Sequence, residues 1–213
     1  MYCYSSVNSY RPKENKKMKS VYNFVVTPIG ERYNNKKKVG DSELILNTEI
    51  FNHQHVNRLA KVISTPIIGD TEIKPGDEVI IHHNVFRRWH NQHGIEKNSR
   101  SYFNESTYFI TKDQIYLYKR DNKWKAPKGY CFVQPLKCSD RFNVDKEKPL
   151  QGVVKYSDGN IKVNELVGFT PGSEYEFIIE GKRLYRIMTQ FITIKYEYQG
   201  NEETYNPSWA KSS

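Results

Sequence analysis

The chain has 213 residues and a formal net charge of +9, from 33 Lys and Arg against 24 Asp and Glu. With 16 Tyr, 10 Phe and scattered Gly and Pro, its composition is that of short strands and turns, which excludes a long-helix bundle or a coiled coil. No apolar run approaches the roughly 20 residues of a membrane-spanning helix, so no membrane partner is expected.

The first stretch, "MYCYSSVNSYRPKENKKMK", has no apolar segment of the kind that marks a secretory signal. Three cysteines, Cys3, Cys131 and Cys138, are an odd number and suggest no disulfide framework. A reducing compartment follows, and the cytoplasm is the expected location. Residues 1–18 are expected to be a disordered basic extension. Ordered pattern begins with "VYNFVVTPIGERY" and continues through "SELILNTEIF" and "NRLAKVIST". "TPIIGDTEIKPGD" reads as a loop ending in a turn, "EVIIHHNVFRRW" as a strand, and "HNQHGIEKNSRSYFNES" as a long polar loop. "TYFITKDQIYLYKR" predicts two short strands around a turn at Lys112-Asp113.

Charge, Pro and Gly in "DNKWKAPKG" place a linker at 122–127. "YCFVQPL" is a strand, "KCSDRFNVDKEKP" a polar loop and "LQGVVKYSDGN" a strand with a turn. "ELVGFTP", "YEFIIEG", "KRLYRIM" and "FITIKYEY" follow as strands, with a tight hairpin cornered at Glu180-Gly181. Residues 200–213 are expected to be a loose polar tail.

The sequence repeats itself. "IKPGDEVII" from Ile73 has the phrasing of "IKVNELVGF" from Ile161. Upstream, "AKVIST" fills the slot of "GVVKYSD"; downstream, "YFITKDQIYLYK" from Tyr108 matches "YRIMTQFITIKY" from Tyr185. Ordered recurrence of three elements predicts one module used twice. The expected fold is all-β, as two tandem small β-barrels at 19–121 and 128–199. Pro75-Gly76 suits a tight turn, with Asp77 bonding backbone groups at the start of the strand. Asn164, which also tolerates the left-handed region, stands in the second copy.

This order of elements resembles the GroES-type co-chaperonins. "KPGDEVII" is similar to that family's Gly-Asp-x-Val strand, "YFITKDQIYLY" to its terminal strand pair and "TPIGERY" to its opening. The second copy resembles the same C-terminal half from Glu165 to Ile194. The resemblance implies a tandem co-chaperonin, and the basic, Tyr- and Asn-rich composition with the drift from the family pattern suggests a divergent, viral (phage) version. Such a protein is no enzyme and uses no cofactor. It assembles as a homo-oligomeric ring, binds a GroEL-type chaperonin ring and assists protein folding. Family members bind through a mobile loop with an apolar triplet, which makes Leu44, Ile45, Leu46, Ile50 and Phe51 the candidate contact residues. Two placements stay open. Either Leu44–Leu46 is the loop tip, or "ELILN" is a core strand matching "YCFVQPL" and Ile50 and Phe51 form the tip.

All six histidines lie between His53 and His93, but no Cys or carboxylate stands at ligand spacing, so no metal site is expected. No nucleophile motif or phosphate loop is present. The charge supports an alternative reading, a basic β-barrel module for nucleic acid or a phage structural or assembly protein; nucleic acid is not the partner expected.

Overall fold

The computed structural model describes residues 19–33, 36–45, 55–139, 146–197, 200 and 202–212. The chain is all-β; among the described residues the only helical pieces are short 3-10 turns. Among the described residues ten strands precede the expected linker, β1 (Phe24–Pro28), β2 (Lys36–Val39), β3 (Ser42–Ile45), β4 (Leu59–Ser64), β5 (Glu78–Ile81), β6 (Arg88–His90), β7 (Glu96–Asn98), β8 (Tyr102–Asn104), β9 (Thr107–Ile110) and β10 (Ile115–Arg120), and β11 (Lys123–Lys125) lies within it. Six follow it: β12 (Tyr130–Lys137), β13 (Glu147–Ser157), β14 (Leu166–Phe169), β15 (Tyr175–Ile179), β16 (Lys182–Met188) and β17 (Ile192–Tyr196).

Two large antiparallel sheets result. The first runs β11-β10-β5-β4-β1-β9-β8, the second β17-β14-β13-β12-β16-β15. Read side by side, the orders coincide, and β11 is one strand added at the edge of the first. Neither sheet closes on itself through pairing, so the barrels expected from the sequence are two open sheets. β2–β3 and β6–β7 form separate two-stranded hairpins.

The equivalence extends to register. Val26 lies opposite Val62 and Tyr108, as Val133 lies opposite Val154 and Tyr185. A bulge falls between Val25 and Val26 in one copy and between Phe132 and Val133 in the other. A second irregularity in the pairing of β5 with β10 recurs between β14 and β17. A 3-10 turn precedes the last strand in each copy, at Lys112–Gln114 and Thr189–Phe191. The alignment that set "YCFVQPL" against "ELILN" is therefore corrected. "YCFVQPL" is the counterpart of Phe24–Pro28, and "ELI" belongs to a hairpin outside both large sheets.

Each copy has its own core. The first gathers Phe24, Val26, Val62, Ile81, Phe86, Tyr108 and Ile115. The second gathers Val133, Val154, Val167, Phe169 and Ile187. A third cluster joins them: Ile80, Tyr116 and Leu117 from the first copy pack on Phe132, Phe177, Ile179 and Leu184 from the second. Tyr116 meets Phe177 edge-on at 5.0 Å. The expected linker takes part. Trp124 on β11 donates to Glu180 Oε1 at 2.9 Å, and Ala126 is buried in the shared cluster.

Three local expectations differ from the structure. The strand expected through "EVIIHHNVFRRW" stops at Ile81, and a 3-10 turn at His83–Val85 separates it from β6. His82 and His83 therefore do not alternate across a sheet; their rings lie 4.3 Å apart. The polar loop after Trp89 folds into β6–β7 and β8. The tail is held down. Thr204 bridges Leu136, Tyr205 N–H donates to Pro135 O at 2.7 Å, and Ala210 is buried. Glu180 and Gly181, both at positive φ (50° and 71°), do turn the β15–β16 hairpin as expected.

Candidate partner-binding site

The candidate contact residues lie between two points clamped together. Tyr33 and Val56 form an antiparallel bridge, and Asn57 N–H donates to Arg32 O at 2.9 Å. The buried Asn57 side chain makes three hydrogen bonds along this edge. Its Nδ2 donates to Ile29 O and Glu31 O, each at 2.8 Å, while its Oδ1 accepts from Leu59 N–H at 2.9 Å. A buried amide satisfied in this way fixes the path of both chains.

Neighbouring groups stiffen the base. Arg32 donates through Nε and Nη2 to Phe86 O at 3.2 and 3.1 Å. Its guanidinium also stacks over Tyr102 and Tyr108 at 5.4 and 5.5 Å. Tyr33 Oη accepts from Arg88 N–H at 2.7 Å, and the Arg88 guanidinium lies over the Tyr33 ring. Burial pushes the Tyr108 hydroxyl up to about 12, so it stays neutral.

From this base the chain leaves both large sheets. Lys36–Val39 and Ser42–Ile45 pair as a hairpin turned at Gly40, whose φ of 60° suits glycine. Leu44, opposite Lys37, is 54% exposed. Ile45 ends the ladder opposite Lys36. Leu46, Ile50 and Phe51 lie outside the described residues. The hairpin thus carries an exposed leucine beside a run of three lysines, Lys36–Lys38.

In the second copy the chain is paired at the same place. Lys137 pairs with Glu147, and Cys138 N–H donates to Lys146 O at 2.9 Å. Glu147 is held by Arg183 Nη1 at 2.7 Å and by the Tyr185 hydroxyl at 2.6 Å. Burial and the bond to Glu147 together raise the Tyr185 pKa, so that hydroxyl remains a donor. The tail adds a further clamp, with Lys137 N–H donating to Glu203 O at 2.8 Å.

Sequence reasoning found the apolar segment but missed its base. Arg32, Tyr33 and Arg88 carry no local signal, and apart from the bond to Leu59 neither does Asn57, because these partners lie 26 to 55 residues away. Among the described residues no three His, Cys, Asp or Glu side chains group as a metal site, and no helix is long and apolar enough to cross a membrane. No family model matches the chain, and no curated protein matches it.

Proposed function

We propose that this chain is a tandem GroES-like co-chaperonin whose first copy contacts a chaperonin ring through the apolar segment carried between Tyr33 and Val56. One observation carries the reading. The first copy carries the hairpin Lys36–Ile45 outside its large sheet, beyond the bridge of Tyr33 with Val56, with Leu44 exposed, while in the second copy Lys137 pairs with Glu147 within the large sheet. An exposed apolar side chain on an appendage is what a protein partner with an apolar groove would take up. Each such contact is weak, and a ring of copies sums them.

The packing of the two copies supports ring assembly. The outer face of β5 and β10 in the first copy covers the outer face of β12, β15 and β16 in the second. The matching faces at the two ends of the chain are exposed in part, although Val25, the counterpart of Phe132, is buried. At one end, Phe103 and Phe109 stack at 5.3 Å with Phe103 56% exposed; at the other, Ile194 takes the place of Leu117 and is half-exposed. A head-to-tail contact of this kind repeats from copy to copy and closes into a ring when the rotation allows.

The test is co-migration of the purified chain with a chaperonin ring in the presence and absence of adenine nucleotide. Nucleotide-dependent co-migration supports the reading; its absence under both conditions removes it.

A further inference from the structure

The junction between the copies holds two arginines with no acidic partner among the described residues. Arg58 leads into β4, and its guanidinium lies 5.0 Å from the Phe177 ring. Arg186 on β16 lies 3.8 Å from the Tyr130 ring and 4.5 Å from Tyr116. Its Nε and Nη2 are buried and make no hydrogen bond. His82 stands beside them, its ring 5.8 Å from that of Tyr116. Its Nδ1 accepts from Asn84 N–H at 3.0 Å, which assigns the proton to Nε2 and makes that atom a donor.

The electrostatics here are one-sided. Both arginines and burial hold the His82 imidazole below its ordinary pKa, burial being the larger cause. Asp113 acts in the opposite sense, but it is exposed on the 3-10 turn before β10. Aromatic faces attract a guanidinium, yet they accept none of its in-plane N–H bonds. A desolvated charged donor without an acceptor is costly. Arg58, His82 and Arg186 are all partly open to solvent, and exposed Tyr175 lies 6.2 Å from Tyr116. Two guanidinium forks and an imidazole N–H are the complement of a planar or tetrahedral oxyanion.

We propose that this junction is an oxyanion seat, in which Arg58, Arg186 and the Nε2–H of His82 hold a carboxylate or phosphate group across the two copies. A group bound there ties the halves together, and the seat is independent of the chaperonin reading. The ligand engages the folded chain only, so it raises the unfolding midpoint with concentration.

The experiment follows thermal unfolding of the full chain in increasing inorganic phosphate, glutarate or chloride at matched ionic strength and pH. A saturable rise with phosphate or with glutarate beyond that of chloride is expected, and whichever anion gives it names the source. Arg58→Gln, at a side chain that makes no ion pair among the described residues, should lose most of that rise while remaining folded. If Arg58→Gln does not fold, Arg58→Lys replaces it, with the Arg186 Nε–H resonance of the unmodified chain as second readout. That resonance should shift on anion addition. No rise beyond chloride, an undiminished rise in the Arg58 variant, or an unmoved Arg186 resonance each overturns the proposal.

Discussion

Asp77 and Glu165 do the same work in the two halves of the chain. Asp77 Oδ2 accepts from Lys74 N–H at 2.8 Å, and Glu165 Oε2 accepts from Lys162 N–H at 3.3 Å. The residue before each sits at positive φ, Gly76 at 97° and Asn164 at 68°, and donates its N–H to Val62 O and Val154 O respectively, each at 2.8 Å. Each acid pairs with a cation from the last strand, Arg120 for Asp77 and Lys195 for Glu165. The glycine and the asparagine are interchangeable because both tolerate the left-handed region that the turn requires.

The two acids should differ in weight. Asp77 is buried and takes both Nε and Nη2 of Arg120, at 3.1 and 2.6 Å. Asp77→Ala removes that fork and a backbone cap, and should cost on the order of 2–3 kcal/mol. Glu165→Ala, which removes a single contact with Lys195 rather than an arginine fork, should cost clearly less. Denaturant unfolding of the two variants checks the order.

Tyr116 ties the halves. Its ring meets Phe177 and carries the Arg186 guanidinium on its face. Tyr116→Ala should cost about 3 kcal/mol by loss of buried area and leave a void between the copies. Proteolysis near Lys125 should accelerate in this variant. Unchanged stability would mean that the shared cluster contributes little.

His82 gives a pH dependence with a defined sign. Its folded pKa lies below the ordinary 6.5, mainly through burial. Below 6.5 the unfolded chain therefore binds a proton that the folded chain refuses. Stability falls as pH drops from 6.5 towards the lowered value, and this contribution is flat above. His82→Gln should flatten that part of the profile. An identical slope in the variant would assign the dependence to other groups.

The tail is a structural part of the second copy. Asn206 Oδ1 accepts from Arg183 N–H at 2.9 Å, and its Nδ2 donates to Gly181 O at 3.0 Å. Asn206→Ala should cost about 1–2 kcal/mol, since both backbone groups lose their partner. Truncation after residue 201 should cost more, because it also uncovers Leu136. Melting curves of the two variants should fall in that order.

What the sequence made legible was the duplication, because it is written in short-range pattern. Tyr108 and Tyr185 hold the same strand register, and the turns after Ile73 and Ile161 share their hydrogen bonds. Hidden from it were features set by distant partners. "ELI" and "FVV" are equally apolar short runs, and only the pairing of Val26 with Val62 and Tyr108 shows which is the core strand. The hold on the tail depends on Arg183 and Pro135, and β11 exists because Tyr118–Arg120 offers an open edge. Of the candidate site, the apolar residues were visible and the clamp at Tyr33, Val56 and Asn57 was not.

The segment between Tyr33 and Val56 is the proposed chaperonin contact. Three full-length variants separate its parts: Leu44→Ser with Ile45→Ser, Ile50→Ser with Phe51→Ser, and, in the second copy, Phe142→Ser with Val144→Ser, the apolar residues of "KCSDRFNVDKEKP". Each is mixed with a chaperonin ring and adenine nucleotide, and co-migration is measured beside the melting midpoint. At least one pair in the first copy should abolish co-migration with an unchanged midpoint, since Leu44 is already exposed and its loss uncovers no core. The second-copy pair should bind as the unmodified chain does. If both first-copy pairs keep their midpoint and still co-migrate, the segment is not the contact and the co-chaperonin account is contradicted.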